Sequence, residues 1–286
     1  MIKHYFQLIK YSILKHALIT FSIGYFLAEF PNSIVRSHYI AVSFGFLLIA
    51  AASATINHIM ESNYDFKMTR TMHRPIASGK VSSVNAWVFA MILLGVGVLI
   101  LVLNAALHSL FWSMMMLTLY NFVYTPLKRI SWLNTYVGSI PGAMPPVCGW
   151  TAVSGVSIEL WILFFVFFIW QIPHFFALGW KYRYQYNAAG FKMLPCEDPS
   201  GRRTSWHIIL STAALTGAVM LLTFVMNFSL IYLAISMILS LAFLFCAGLF
   251  FKTPNDNNAK YLFLGSIIYQ PILVFLMLLD RVIYGA

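Results

Sequence analysis

Three side chains that carry oxygen ligands recur at every fourth position of one apolar stretch. Asn57, Glu61 and Asp65 stand at i, i+4 and i+8. On an α-helix each step of four residues turns by ~400°, so the three side chains drift by only ~80° and form one stripe over ~12 Å of rise. Two carboxylates and an amide are hard oxygen ligands of the kind that Mg²⁺ takes, and that ion is usually shared with substrate phosphates. The spacing predicts a Mg²⁺ site on one face of a helix.

A cluster of basic residues follows the stripe. Its members are Arg70, Arg74 and Lys80. Guanidinium groups match phosphate oxygens bidentately, so the stripe and the cluster together have the chemistry of a Mg²⁺–diphosphate site. Spacing alone leaves a second interpretation open, in which an acidic turn at a membrane surface pairs with neighbouring arginines.

The composition places these residues in a membrane protein. Of the 286 residues, 60% are hydrophobic and only 9% are charged, whereas roughly a quarter of the residues in a soluble domain are charged. The three cysteines exclude a disulfide scaffold and do not have the spacing of a zinc finger. The net charge of +10 therefore reports orientation in the bilayer before it reports ligands, and we expect no nucleic acid as a partner.

Nine stretches are apolar over the ~20 residues that a helix needs to cross a bilayer. They cover roughly 13–31, 39–60, 84–105, 108–126, 133–153, 158–180, 206–226, 229–251 and 261–281. The sequence lacks the two-residue periodicity of a membrane β-barrel. We predict an all-α polytopic membrane protein with about nine helices around a central cavity, in which residues 1–286 form one transmembrane domain.

The basic residues lie in alternate loops. All except Arg36 and Arg281 fall on one side of the predicted membrane, and such an excess marks the cytoplasmic side. The N-terminus and the polar segments 61–83 and 181–205 are therefore expected in the cytoplasm. The N-terminal residues resemble neither a cleavable signal nor an organelle presequence, which favours the inner (plasma) membrane of a bacterium.

The first polar segment also carries a family signature. N-x-x-x-[DE]-x-x-x-D, followed by R-T-x-x-R-P-[IL]-x-x-G-x-[IV]-S, resembles the first motif of the UbiA-type intramembrane prenyltransferases. The matching positions are Asn57, Glu61, Asp65, Arg70, Thr71, Arg74, Pro75, Ile76, Gly79, Val81 and Ser82. The resemblance implies that the acids bind a prenyl diphosphate through Mg²⁺.

Later stretches narrow the resemblance to one branch of that family. They are YTPLKR (124–129), GSIPGAMPPVCGW (138–150), WQIPHFFAL (170–178) and AAGFKMLP (188–195). They are similar to the branch that transfers a farnesyl group from farnesyl diphosphate to a vinyl group of haem b, which gives haem O and diphosphate. The resemblance implies these two substrates, Mg²⁺ as the cofactor, and transient contact with haem-copper oxidase assembly or haem A synthase.

The resemblance also implies roles for individual residues. The implied catalytic residues, of which the first three are also the Mg²⁺ ligands, are Asn57, Glu61, Asp65 and His174. The implied substrate-binding residues are Arg70, Arg74, Tyr124, Lys128, Arg129, Lys181 and Gln185. Taken without the resemblance, Lys128 and Arg129 could be membrane anchors. The glycines and prolines of 138–150 could then be packing kinks, and His174 a packed hydrogen-bonding residue.

Two positions depart from the family pattern. The family usually has Thr-Lys-Pro-Arg at the start of the first helix, where this chain reads LIKYSILKHALI and Lys15 is the expected remnant. The family also has an acid in its second metal segment, where this chain has Gln185. That segment is expected to be amide-liganded and weak, to be rescued by Glu197 or Asp198, or to be reduced to one metal.

Two other functions stay open on the sequence. One is a UbiA-type enzyme that prenylates an aromatic or quinone precursor, against which the stretches 138–150 and 170–178 argue. The other is a non-catalytic haem-binding membrane protein, which Gln185 suggests. Such a protein would bind haem but would release no diphosphate from farnesyl diphosphate.

Overall fold

The described part of the chain is built from helices alone. The computed structural model describes residues 2–29 and 35–284, and these residues form no β-strand. The helices are α1 (Ile2–Leu8), α2 (Tyr11–Glu29), α3 (Arg36–Asp65), α4 (Ser83–Leu103), α5 (Leu107–Thr118), α6 (Thr125–Leu127), α7 (Asn134–Gly142), α8 (Met144–Trp150), α9 (Ile158–Lys181), α10 (Arg183–Ala188), α11 (Leu194–Glu197), α12 (Arg202–Val225), α13 (Leu230–Lys252) and α14 (Asp256–Tyr284). A π-helical segment, Leu119–Tyr124, joins α5 to α6.

The helices confirm the prediction of an all-α, multi-pass membrane protein. Seven of them (α2, α3, α4, α9, α12, α13 and α14) are long and apolar enough to span a bilayer. The other two predicted spans correspond to runs of shorter helices, namely α5 to α6 and α7 with α8. Pro141 lies at the end of α7, and Pro145 and Pro146 lie in the first turn of α8, which explains the break in the second run. The predicted end of the first span, at residue 31, lies outside the described residues.

The spans form two groups that α2 connects. In the first group α3 packs against α4 and α5, and α5 packs against α8. In the second group α9, α12, α13 and α14 pack in sequence, and α14 returns to α9. Helix α2 contacts α3 and α8 on one side and α14 on the other, while α7 and α8 contact α9. The last turns of α3 and α9 are followed by the polar segments, so both groups contribute to what we call the polar-loop end, which carries residues 66–82, 128–133 and 182–201.

Helices α2 and α8 approach each other at backbone distance. A Cβ atom on Gly24 would lie 1.9 Å from the carbonyl oxygen of Pro146, and one on Gly149 would lie 1.9 Å from the carbonyl oxygen of Phe21. Small residues allow such close contacts between helices in membranes. Within the 138–150 stretch Gly149 therefore serves packing, and together with Gly24 it allows the broken helix to lie against α2.

Candidate active site

The stripe lies where helix α3 reaches the polar-loop end. With 30 residues, α3 is about 45 Å long, which exceeds the ~30 Å hydrocarbon core. Its final turns carry Asn57, Glu61 and Asp65, whose exposed fractions are 0%, 6% and 1%. The three side chains share one buried face, as the i, i+4, i+8 spacing predicts. An acidic turn on the membrane surface would leave these side chains exposed, so the burial argues against that interpretation.

Two basic side chains neutralise the buried carboxylates. Arg74 places Nη1 2.7 Å from both oxygens of Asp65 and 3.7 Å from Oε2 of Glu61. Lys128 donates a hydrogen bond to Oε1 of Glu61 over 2.7 Å. Buried charges persist in proteins when they are paired and hydrogen-bonded. The structure thus brings together two of the predicted substrate-binding residues and two of the predicted metal ligands.

The loop after α3 folds back to deliver Arg74. Successive turns cover residues 66–80, and the hydroxyl of Thr71 donates to the carbonyl oxygen of Asp65 over 3.0 Å. Gly79 adopts a φ of 72°, which is unstrained only for glycine. The amides of Lys80 and Val81 donate to the carbonyl oxygen of Pro75, and this closes the loop. Threonine and glycine of the signature therefore fix the backbone that carries the arginine.

A third basic residue contacts the stripe without having been predicted. Lys10 lies between α1 and α2 with a φ of 51°, and its ammonium lies 2.5 Å from Oδ1 of Asn57 and 3.5 Å from the hydroxyl of Tyr120. Lys15, the expected remnant of the family's basic motif, is exposed and lies over the ring of Tyr11 at 5.1 Å. That expectation is corrected, because Lys15 is on the outward face of α2 whereas Lys10 is directed at the stripe.

The lysines at the stripe differ in their acid–base properties. Burial lowers the pKa of Lys10 to about 7, and the nearby charge of Arg74 adds to the effect. Burial also opposes the charged form of Lys128, but the attraction of Glu61 outweighs it and raises the pKa of Lys128 above its ordinary value. Lys128 therefore stays positively charged, whereas a further negative charge nearby would favour the charged form of Lys10.

The π-helical segment turns two tyrosines towards the stripe. The ring of Tyr124 lies 4.4 Å from the ammonium of Lys128, and that of Tyr120 lies 5.9 Å from the ammonium of Lys10. Gly138 makes room for Tyr124, because a Cβ atom there would lie 2.4 Å from Cε2 of the ring. Asn121 in the same segment donates to Ser53 on α3 over 2.7 Å. Such segments are often found at functional sites. Here the segment places the ring faces of Tyr120 and Tyr124 next to the ammonium groups of Lys10 and Lys128.

The donor set fits a Mg²⁺ ion that is shared with a phosphate group. Within residues 2–29 and 35–284, no cluster of three or more His, Cys, Asp or Glu side chains could hold a metal. Glu61 and Asp65 offer two carboxylates and Asn57 an amide oxygen, and Mg²⁺ is commonly held by one or two carboxylates together with substrate phosphates. Lys128 and Arg74 can then turn from the carboxylates to phosphate oxygens.

The second polar segment meets the first through aromatic contacts. The guanidinium of Arg70 lies 5.3 Å from the ring centre of Tyr182 and 3.5 Å from the hydroxyl of Tyr186. Between these two tyrosines, Oε1 of Gln185 is buried and has no hydrogen-bond partner among the described residues. An unpaired acceptor beside Arg70 fits a position at which a metal ion, or a substrate group that donates a hydrogen bond, would bind it. Arg129 stays further out, where it donates to the hydroxyl of Tyr64 over 2.6 Å.

The downstream acids are not arranged to replace the missing carboxylate. Asp198 is 4% exposed and accepts hydrogen bonds from the amide and the hydroxyl of Thr204, over 2.8 and 2.9 Å, and from Ser200. It therefore caps the start of α12. Glu197 is exposed. This arrangement favours a weakened second segment over one that Asp198 rescues.

Comparison with known proteins assigns the family. The model of the UbiA prenyltransferase family matches residues 17–275. A protoheme IX farnesyltransferase of Solibacter usitatus is 34% identical over 288 residues, which cover 98% of this chain and 99% of the relative. A protein of Cytophaga hutchinsonii with the same name is 32% identical and covers 97% of both chains.

The chain belongs to the UbiA prenyltransferase family.

Solved structures agree with this fold. A digeranylgeranylglyceryl phosphate synthase superposes with a TM-score of 0.82 at 19% identity and covers 98% of each chain. A UbiA homologue from Archaeoglobus fulgidus, bound to DMAPP and Mg²⁺, superposes with a TM-score of 0.70 at 15% identity, with 98% of this chain and 99% of that chain covered. At these identities the likeness concerns the fold.

The predicted histidine of this UbiA family member lies away from the stripe. His174 is half-buried on α9, and its Nδ1 lies 2.7 Å from the hydroxyl of Ser266 on α14. Its ring stacks on Trp170 at 5.3 Å and on Phe263 at 5.0 Å. Lys181, about 10 Å further along α9, lies over the same Phe263 ring at 5.7 Å. His174, Phe263 and Lys181 thus line one surface, which we call the wall. Neither His174 nor Lys181 takes part in the ion pairs of the stripe.

Proposed function

We propose that this chain transfers a farnesyl group from farnesyl diphosphate to a vinyl group of haem b, which yields haem O and diphosphate. The observation that carries the proposal is the buried stripe, in which three basic side chains from separate segments contact Asn57, Asp65 and Glu61. Arg74 and Lys128 balance the two carboxylates, and Lys10, whose pKa burial lowers to about 7, gains charge when a polyanion binds beside it. The names of the relatives from Solibacter and Cytophaga support haem b as the acceptor.

The leaving group is stabilised by charge at the stripe. Glu61, Asp65 and Asn57 are the residues that would hold Mg²⁺, which when bound supplies Lewis-acid stabilisation of the departing diphosphate. Lys128 and Arg74 donate charge-assisted hydrogen bonds to the phosphate oxygens, and Lys10 adds a third donor. Cleavage of the C–O bond leaves the electron pair on diphosphate and an allylic cation on the farnesyl group.

The acceptor half of the reaction takes place in apolar surroundings. The faces of Tyr120 and Tyr124 are placed to stabilise a cation near the stripe. The terminal vinyl carbon of haem b attacks the farnesyl cation, and water then adds to the resulting cation and loses a proton. The product carries a hydroxyethylfarnesyl group. The wall of His174, Phe263 and Lys181 is the proposed place of the macrocycle.

We further propose that the polar-loop end faces the cytoplasm of a bacterium whose inner membrane holds the chain. The bias of Lys and Arg supports this orientation. Cysteines introduced at Ser78 and Ser200, in a variant without Cys148, Cys196 and Cys246, should resist an impermeant thiol reagent added to intact spheroplasts. Ready labelling of either cysteine from outside would reverse the orientation.

Pigment analysis tests the proposed reaction in cells. Membranes of cells that express the chain should contain haem O, while cells that express the Asp65→Asn variant should contain only haem b. A new prenylated quinone without haem O would mean that the acceptor is aromatic. Unchanged haem b in both strains, with haem bound to the chain, would indicate a haem-binding protein that catalyses no transfer.

A further inference from the structure

The hydrogen bond between His174 and Ser266 determines which ring nitrogen carries the proton. The hydroxyl of Ser266 has a single proton, and it donates to the carbonyl oxygen of Phe263 over 2.6 Å. Towards His174 the same hydroxyl can then only accept. The 2.7 Å contact therefore requires a proton on Nδ1, and the neutral ring has a free lone pair on Nε2.

Nε2 of His174 is unpaired within the described part of the chain and is not fully buried. It forms no hydrogen bond with any described residue, yet it is not among the buried side-chain atoms that lack a partner. The residue as a whole is half-buried. An unprotonated imidazole nitrogen without a protein partner is the form of histidine that ligates a metal.

Neighbouring groups hold the imidazole plane in place. Trp170 and Phe263 stack on it with interplanar angles of 23° and 28°. The indole nitrogen of Trp170 also donates to the backbone carbonyl of Ser266 over 3.0 Å. Trp170 therefore both stacks on the imidazole of His174 and fixes the backbone of Ser266, which holds the proton on Nδ1.

The wall offers groups that match a planar macrocycle with iron at its centre and carboxylates at its edge. Trp170 and Phe263 stack on the imidazole of His174, and the ammonium of Lys181 lies over Phe263 on the side of the polar-loop end. Imidazole is a common axial ligand of haem iron. The iron belongs to the substrate and arrives with it.

We propose that Ser266 is a positioning residue that presents Nε2 of His174 as the axial ligand of the haem b acceptor. This inference rests on the proposed function, because it assumes that haem b is the acceptor. A ligating histidine generally donates its other ring N–H to an oxygen, and loss of that oxygen typically weakens metal affinity or activity by about 10–100-fold.

A second imidazole nearby provides a rival ligand. His16 on α2 stacks on Trp170 at 5.8 Å with an interplanar angle of 26°, and neither of its ring nitrogens is hydrogen-bonded to a described residue or buried without a partner. Unlike His174, it has no group that holds one tautomer. The geometry thus favours His174, and a variant of His16 distinguishes the two.

The test uses the full chain in lipid nanodiscs with haem b, in the absence of farnesyl diphosphate. Haem affinity is measured by titration, and the iron–imidazole stretching band of the ferrous complex is measured by resonance Raman spectroscopy. The variants are His174→Ala, Ser266→Ala and His16→Ala. Ser236→Ala serves as the matched control, since Ser236 is a buried serine that also bonds to a carbonyl within its own helix without touching a histidine.

The expected results separate the positioning role from a structural one. His174→Ala should abolish the iron–imidazole band. Ser266→Ala should retain it at lower frequency, because the imidazole loses its hydrogen-bond acceptor, and should weaken haem binding by about 10–100-fold. His16→Ala and Ser236→Ala should match the unmodified chain.

Each contrary outcome overturns a specific claim. A band in Ser266→Ala that is unshifted, with unchanged affinity, would remove the positioning role while haem binding stands. Loss of the band in His16→Ala rather than in His174→Ala would overturn the choice of ligand. If the unmodified chain binds no haem, the proposed function itself fails.

Discussion

The stripe and the wall lie in the same helix bundle, but different interactions hold their side chains in place. At the stripe, Glu61 and Asp65 are buried and paired with cations. At the wall, the partners of His174 are aromatic rings and the hydroxyl of Ser266. The contrast matches the two halves of the proposed reaction, because a departing diphosphate needs charge and a planar apolar acceptor needs shape.

The energetic consequences of changes at the two regions should differ accordingly. Removing one partner from a buried ion pair leaves an uncompensated charge and is strongly destabilising, typically by about 3–5 kcal/mol. Removing one neutral hydrogen bond typically costs about 0.5–1.5 kcal/mol. Substitutions at the stripe should therefore have larger effects than those at the wall.

The largest effect is expected for Asp65→Asn. This change keeps the shape of the side chain but removes a carboxylate that the proposed site needs for Mg²⁺ and that holds Arg74. The rate of haem O formation should fall by at least about 10²–10³-fold, as is typical when one charge-stabilising group is lost. Glu159→Gln, at the start of α9, is the control and should keep the normal rate. A normal rate in Asp65→Asn would mean that the stripe has only a structural role.

Lys128→Met should affect both stability and substrate binding. It would leave Glu61 with Arg74 alone, at 3.7 Å, so we expect a lower unfolding temperature and a higher KM for farnesyl diphosphate. Thermal unfolding in detergent and initial rates measure the two effects. The exposed Lys192 provides the control substitution, Lys192→Met. Equal behaviour of the two variants would show that the Lys128–Glu61 pair is dispensable.

Lys10→Met should raise the KM for farnesyl diphosphate about tenfold, which corresponds to roughly 1.4 kcal/mol. The reason is the loss of one donor to the diphosphate at the Asn57 end of the stripe. Lys15→Met changes a lysine only five positions away that is exposed, and it should leave KM unchanged. The opposite ranking of the two variants would restore Lys15 as the basic residue of the first span.

The smallest effect is expected for Gln185→Glu. A carboxylate in place of the orphaned amide oxygen should lower the Mg²⁺ concentration that gives half the maximal rate. Glu197→Gln should leave that concentration unchanged, because Glu197 is exposed. A Mg²⁺ titration of both variants measures the effect. If Glu197→Gln raises the Mg²⁺ requirement instead, the downstream acid does replace the missing carboxylate.

The two regions also differ in how far the sequence predicts them. The stripe follows from helical periodicity, so Asn57, Glu61 and Asp65 could be placed on one face before any coordinates were known. Their partners could not, because Lys10 is 47 residues from Asn57 and no local pattern connects them. The basic cluster after the stripe predicted Arg74, the family resemblance added Lys128, and the structure shows what each one pairs with.

The wall depends on features that no local pattern reveals. His174 and Ser266 are 92 residues apart, and nothing in the sequence around Ser266 connects it to a histidine on another helix. The π-helical turn that aims Tyr120 and Tyr124 at the stripe likewise has no sequence signal that distinguishes it from an α-helix. Helix type and the approximate spans were predictable because they depend on apolar length, whereas the internal breaks depend on packing.

In the proposed reaction, one chain activates a prenyl diphosphate and delivers the prenyl group to haem. The most direct test incubates the purified chain with farnesyl diphosphate, haem b and Mg²⁺ and identifies the products by mass. Haem O and diphosphate should appear in equal amounts, and the formation of both should require Mg²⁺. Release of diphosphate without any change in the mass of haem, or unchanged substrates in the presence of Mg²⁺, would contradict it.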